Sequence, residues 1–498
     1  MTDFHLPLNL YLERYPLKYS ALYHALRDAI ASGRLEYGMK LPSSRELGGL
    51  YGLSRGVVSQ VYEMLAAEGY VVSGVGRGTF VAYRHDHQPG GGANVQTEFE
   101  LSAWGRRMSG LPLRQPASGT AGDIRFVIGY SDRSHFPKQA WNRTLYAQVR
   151  GMNDSYYGDG FASQGHLALR EAICRHLLRT RGIEAVPSSI AIVNGSMQAI
   201  ALLAQLLIDT GDPVVTESPC YSGILSAIRA AGGEAVAACI DRHGLVPDDW
   251  EAKLIFVTPS RQFPTGAVLS LERRQQLLAW ASRRGAVVVE DDYDSEFRHL
   301  GRPIEPLKLL DREDRVVYIG TFSLTMMHHF RIGYAVLPAA LREPFLRARQ
   351  LFEPHPTAIL EQRALASFMN GGEYERHLRR MGRLYSRKFE LLQSLLKDTE
   401  ELAELFEPVA SDAGLHLFAL WKRSADEYGR FRQFCHDSGV TWTDGTGYYL
   451  ERPVPSACFG FAHLEETEIK EGISRMAAAA ARLQLVSHDS AAGKDYSD

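Results

Sequence analysis

Cysteine is scarce in this 498-residue chain, and the five present (Cys174, Cys220, Cys239, Cys435 and Cys458) are scattered with no metal-ligand spacing. That arrangement suits neither a disulfide framework nor a cysteine-bound zinc, and a reducing cytoplasm is the expected compartment. No run of 18 apolar residues occurs, so no membrane-spanning helix is expected. The N-terminal MTDFHLPLNLYLERY mixes acidic and basic residues before any apolar run, unlike a secretory leader. An excess of one charge is also missing. A net charge of -3 excludes a surface that clings everywhere to polyanions, so any nucleic-acid binding needs a local positive patch. Residues 1–84 hold nine Lys and Arg against seven Asp and Glu, a balance of +2 that permits one. There are no internal repeats.

What the chain has is material for large cores. It is 45% hydrophobic, enough for two or three domains at this length. Four segments are expected: a domain over 1–83, a flexible linker over 84–122, a large domain over 123–486 and a disordered tail over 487–498. The linker begins RHDHQPGGGANVQTE, polar and glycine-rich, with short ordered pieces such as the stretch around Trp104. From Ile124 onward, apolar runs at 190–193, 214–216, 254–257, 286–289 and 316–319 alternate with helical patterns. That alternation predicts an α/β fold, a mostly parallel sheet covered by helices.

The first segment reads as a winged helix-turn-helix. Leu22, Leu26 and Ile30 recur every four residues, as on one face of a helix ending near Gly33. Ser43 followed by Glu46 is a capping box that starts a second helix. Ser54 is placed to cap a third, with Val58, Val61 and Leu65 facing the core, and Gly69 marks its end. YVVS-GVGRG-TFVA then predicts two short strands around a glycine-rich turn, a wing. Such a third helix enters the major groove N-terminal end first, which brings Arg55 to base edges or phosphates. The run LPSSREL…GLSRGVVSQVYEMLAAEGYVVSGVGRGTFVA resembles the DNA-binding domain of GntR-type regulators. The resemblance implies that Arg45, Ser54, Arg55, Arg77 and Gly78 contact double-stranded operator DNA.

The larger segment carries a second resemblance. NGSMQAI (194–200), ESPCYSG (217–223), TPSRQFPTG (258–266), EDDYDSEF (290–297) and GTFSLTMMHHFRIGY (320–334) are similar, in order and spacing, to fold type I aminotransferases. Behind a GntR-type domain they resemble the MocR subfamily of regulators over nearly the whole chain. The resemblance implies a pyridoxal phosphate site. Ser196 and Met197 would offer backbone N–H groups at a helix start to its phosphate, with Thr321 and Arg331 completing the cup. Tyr221 would stack on the ring, Asp291 would hold the pyridine nitrogen, and Tyr293 would reach the phenolic oxygen.

One departure dominates. The family's Schiff-base lysine falls at Leu324, which has no nitrogen, so no covalent bond to the cofactor is expected there. Arg261 also stands where a histidine is common, and Cys458 where many relatives keep a carboxylate-binding arginine. Pyridoxal phosphate is therefore expected to be held non-covalently or to be absent, and catalysis is not expected. The adjacent His328 and His329 do not suit a metal site. Two functions remain: a DNA-binding regulator sensing a small metabolite (amino acid-like or pyridoxal phosphate), or an aminotransferase carrying a DNA-binding domain. The first is favoured, because the missing lysine is also the proton shuttle of transamination. The subfamily resemblance further implies a head-to-tail homodimer.

Overall fold

The structure, a computed structural model, describes residues 4–74, 76–84, 99–113, 122–151, 163–299 and 304–492. The chain divides into two compact units, Met1–Glu100 and Leu101–Asp498. Most of the expected linker (85–98 and 114–121), Val75 of the wing turn and the last six residues lie outside the described residues.

The smaller unit contains α1 (Leu8–Arg14), α2 (Lys18–Ala31), α3 (Ser44–Tyr51) and α4 (Arg55–Ala67), then the antiparallel hairpin of β1 (Val71–Gly74) and β2 (Gly78–Val81). One helix more is present than the three the sequence pattern predicts. The extra one, α1, buries only Leu8 and so has no apolar periodicity to announce it. The caps form as their residue types dictate. Glu46 N–H donates to Ser43 Oγ at 3.3 Å while Ser43 N–H donates to Glu46 Oε2 at 2.8 Å, closing the capping box of α3. Gly52 ends α3 in the left-handed region at φ 62°, and Val57 N–H donates to Ser54 Oγ to start α4. Leu22, Leu26, Leu47, Val58, Val61 and Leu65 share one buried core.

The larger unit is built on two sheets. β3 (Ile124–Phe126) belongs to the second. β4 (Ile190–Val193), β5 (Pro213–Ser218), β6 (Glu234–Asp241), β7 (Gly244–Leu245), β8 (Leu254–Val257), β9 (Val287–Asp292), β10 (Val316–Thr321) and β11 (Gly333–Val336) form the first, in the order β4-β11-β10-β9-β8-β5-β6-β7. The run from β10 through β9, β8 and β5 to β6 is parallel. β11 is antiparallel to both neighbours, β10 and β4. Helices cover the faces, burying Ile200, Leu203 and Ile228 against Val214, Phe256 and Val289. The second sheet runs β12 (Phe406–Pro408), β13 (His416–Trp421), β15 (Ser456–Gly460), β14 (Val440–Asp444), β3, and packs beneath the long helix Glu373–Asp398.

One short segment takes the ordered form expected of it and another departs from expectation. A helix, Ala103–Ser109, forms around Trp104 and ties back when Arg107 Nε donates to the Ala230 carbonyl at 3.0 Å. The last helix, Glu466–Ala492, carries on into the segment expected as a tail. Once a helix exists, each added residue gains a hydrogen bond at little cost, and its alanine-rich body favours continuation. No helix among the described residues is long and apolar enough to cross a membrane.

Candidate cofactor cleft and nucleic-acid groove

Strand direction decides where chemistry gathers in the larger unit. β4, β5, β8, β9 and β10 all point the same way, and their carboxyl ends share one edge of the sheet, where ligands bind in open α/β sheets. The register is specific. Thr321 pairs with Gly333, and Gly333 pairs with Val193. The end of β10, the start of β11 and the end of β4 therefore meet in one row, and this row places Thr321, Arg331 and the start of the helix Ser196–Leu207 together.

The helix start is shaped for a close approach. Gly195 sits at φ 84°, and a Cβ there would lie 2.5 Å from Arg331 Nη2. Arg331 is itself left-handed, at φ 44°, a conformation costing a non-glycine residue about 1 kcal/mol or more. Its Nη2 donates to the Asn194 carbonyl at 3.3 Å. Thr321 Oγ1 donates to Ser323 Oγ at 3.1 Å. The free N–H groups at Ser196 and Met197, the guanidinium and the hydroxyls make a cup for a dianion.

Further along the edge, Asp291 is buried, and its Oδ1 has no hydrogen-bond partner among the described residues. Burial, with Asp292 and Asp294 adding repulsion, pushes its carboxyl up to about 7. A buried acceptor in this condition is open to a donor supplied by a ligand. Tyr221 and Tyr293 both pack edge-on against Phe263, at 5.6 and 5.7 Å between ring centres. Met197 and Tyr221 close together over Gly223, where a Cβ would meet both at 2.5 Å. The Tyr293 hydroxyl accepts a hydrogen bond from Arg261 Nη1 at 2.7 Å. Leu324 is partly buried against an apolar cluster that includes Phe297, Met381 and Tyr385. It brings no heteroatom to the cleft.

The residues present fit pyridoxal phosphate: a cradle without a Cβ at Gly195, a cation beside it, and an orphaned buried carboxylate at Asp291. Phe263 and Arg261 were not singled out as site residues by sequence reasoning. Their signal was present in the TPSRQFPTG segment, but only the fold shows that Phe263 is the ring around which Tyr221, Tyr293, His416 and Tyr448 assemble.

In the smaller unit, the N-terminal ends of α3 and α4 and the wing line an open groove of about 1590 Å³. Arg55, Arg77 and Gly78 line it. Arg45 and Ser54 do not; Arg45 is exposed on α3, and the Ser54 hydroxyl accepts the α4 cap bond. Lys40, Ser43, Ser59, Ser73 and Thr79 also line it and were not foreseen. The Lys40 ammonium sits 6.0 Å from the Phe80 ring centre, and its stem crosses Gly78, where a Cβ would lie 2.9 Å from Lys40 Cε. Glu46 and Glu63 are the acidic members of the lining.

Family models match both units. Residues 18–81 match the bacterial regulatory proteins of the gntR family, and residues 146–476 match aminotransferase class I and II. The chain is 34% identical over 465 residues to the probable rhizopine catabolism regulatory protein MocR of Rhizobium meliloti, covering 92% of each. The chain is a MocR-type member of the GntR regulators. It is also 30% identical over 403 residues to the pyridoxine biosynthesis transcriptional regulator PdxR of Corynebacterium glutamicum, covering 80% of this chain and 83% of that one. Among solved structures, the kynurenine aminotransferase of Pyrococcus horikoshii superposes with a TM-score of 0.67 at 26% identity, over 73% of this chain and 92% of that one. As in other MocR-type regulators, a helix-turn-helix reader and an aminotransferase fold share one polypeptide, and the protein is a transcriptional regulator.

Proposed function

We propose that the larger unit of this regulator is a sensor that holds pyridoxal phosphate without a covalent bond, and that the smaller unit reads operator DNA. The observation that carries the sensor reading is Asp291, a buried carboxylate whose Oδ1 lacks a partner at the carboxyl edge of the sheet. When bound, pyridoxal phosphate brings a dianionic phosphate, a protonated pyridine nitrogen and a phenolic oxygen. Backbone N–H groups of Ser196 and Met197, with Thr321 and Arg331, would bind the phosphate. Asp291 would accept a hydrogen bond from the pyridinium N–H, Tyr293 would donate to the phenolic oxygen, and Tyr221 would pack on the ring. With leucine at position 324, nothing in the family motif anchors the aldehyde or shuttles a proton, so transamination is not expected. The name of PdxR, which ties that relative to pyridoxine biosynthesis, agrees with a B6 phosphate as effector.

In the smaller unit, Arg45, Ser54, Arg55, Arg77 and Gly78 are the proposed DNA contacts, with Arg55 leading α4 into the major groove. A head-to-tail homodimer presents two such readers to two half-sites. The ligand regulates only to the extent that it binds one arrangement of the dimer better than the other.

The test is calorimetric and absorbance titration of the full-length protein with pyridoxal phosphate. Saturable binding that dialysis removes, with no adduct fixed by borohydride, is expected. Arg331→Ala weakens it roughly ten- to a hundredfold, since a charge-assisted bond is worth about 1.5–3 kcal/mol. Absence of binding, or a reduced adduct on any lysine, overturns the reading.

A further inference from the structure

Arg261 is the most heavily engaged cation of the cleft, and the family pattern gives it no role. It is 3% exposed. Nε donates to the Ala413 carbonyl at 2.8 Å and Nη2 to the His416 carbonyl at 2.8 Å. Nη1 donates to Asp294 Oδ2 at 2.9 Å and to the Tyr293 hydroxyl at 2.7 Å. The slot is built for a guanidinium. A Cβ on Gly414, which sits at φ 94°, would collide with the Arg261 side chain, so the chain keeps glycine where the fork passes. A histidine in the same place has two ring nitrogens and cannot serve these four acceptors.

The electrostatics fix which way each proton goes. His416 Nε2–H donates to the Pro264 carbonyl at 2.9 Å, which leaves Nδ1 as an acceptor on the Arg261 side. Burial, reinforced by Arg261, holds this imidazole well below its ordinary range and therefore neutral. Burial raises the Tyr293 phenol well above its ordinary value against the opposing pull of Arg261, so Tyr293 keeps its proton. The bond from Arg261 takes a lone pair of the oxygen and leaves the O–H free to donate, and that proton has no acceptor among the described residues. The other titratable groups around the pair are Asp291 and Asp294 on the same segment, His299 a few residues on, His416 on β13 and Cys458 on β15. Burial pushes the Cys458 thiol up, so it stays neutral.

We propose that Arg261 is a positioning residue: by donating to the Tyr293 oxygen it turns the phenol into a dedicated donor, aimed at the ionised ring oxygen of a bound B6 phosphate. The assignment rests on the sensor reading above and adds to it the group that sets the ionisation of the ligand. A fixed donor backed by a buried cation stabilises the phenolate form of the ligand and lowers the pH at which the ring oxygen ionises. The same guanidinium ties Tyr293 to the carbonyls of Ala413 and His416, so the ligand contact and the entry to β13 share one brace.

The experiment follows the pH midpoint of the absorbance change of pyridoxal phosphate bound to full-length protein. It compares wild type with Arg261→Gln, Arg261→Lys, Tyr293→Phe and the Arg261→Gln/Tyr293→Phe double variant. Arg261→Gln is expected to raise the midpoint by about one pH unit or more, and Arg261→Lys by less. In the Tyr293→Phe background Arg261→Gln is expected to add nothing, which a purely structural arginine would not reproduce. An unchanged midpoint in a folded, ligand-binding Arg261→Gln protein overturns the proposal, as does an equal shift in both backgrounds. If Arg261→Gln fails to fold, Arg261→Lys decides alone by whether its midpoint moves. Wild-type protein that leaves the spectrum in its free-solution form overturns the sensor reading first, and this inference with it.

Discussion

Among the described residues the smaller unit buries none of its cations, whereas the larger unit buries several. In the smaller unit Arg45, Arg55 and Arg77 are exposed, and none makes an ion pair among the described residues. In the larger unit Arg181, Arg261, Arg349 and Lys388 are almost fully buried, each with a carboxylate partner: Asp292, Asp294, Glu353 and Asp132. An exposed cation stays hydrated, loses little by waiting, and gains when a polyanion releases counterions to it. A buried cation has already left water and depends on its partner. The smaller unit is therefore a surface that meets its ligand by charge density. The larger one adds buried charges, such as Arg261, that are held by internal partners.

Mutations should separate the two regimes by size of effect. The largest belongs to the pair Lys388 Nζ–Asp132 Oδ2, 2.8 Å apart and 1% and 2% exposed. Asp132→Asn leaves the ammonium buried without a counter-charge, and a loss of about 3–5 kcal/mol in unfolding free energy is expected by chemical denaturation. The pair also has a pH signature. Burial raises the Asp132 carboxyl, but the Lys388 ammonium, the His135 N–H and the Ser134 hydroxyl outweigh it and hold the group well below its ordinary range. A carboxyl depressed in the folded state contributes stability above its unfolded value near 3.9 and loses it as pH falls further, so the gap between wild type and Asp132→Asn should narrow below about pH 4.

A smaller effect is expected in the groove. Arg55→Ala should cost about 1–3 kcal/mol of operator binding and relax sequence preference at one position, measured by fluorescence anisotropy against operator and random duplex. Lys40→Ala should instead weaken both duplexes alike and reduce the salt slope by about 1, as for a phosphate contact. Equal losses for Arg55→Ala on both duplexes would make it a phosphate contact as well. The smallest effect belongs to the half-exposed pair Arg27–Asp28 at 2.8 Å, where Arg27→Ala should change stability by less than about 1 kcal/mol. A loss as large as that of Asp132→Asn would collapse the contrast between the units.

Legibility in the sequence followed locality. The capping box at Ser43 and Glu46, the Ser54 cap and the apolar strands at 190–193 and 254–257 are short-range events, and each forms where the pattern places it. The row of Thr321, Arg331 and Gly195 could be read only through family resemblance. Local pattern gives no sign that β11 turns antiparallel and slots between β4 and β10. Arg261 was visible as a departure from the family but not as a donor to Tyr293, because Ala413 and His416 come from about 150 residues further along. Lys40 was missed for a related reason. It precedes the capping box, and only the closed wing brings Gly78 over its stem.

The placement of β11 also bears on how the protein is made. An emerging chain that has completed β4 and β10 owns the first wall of the anion cup and its hydroxyls, yet lacks the guanidinium of Arg331 until the strand that follows it has threaded between those two. Truncation before residue 336 would leave Arg331 without the complete strand that fixes it beside Gly195.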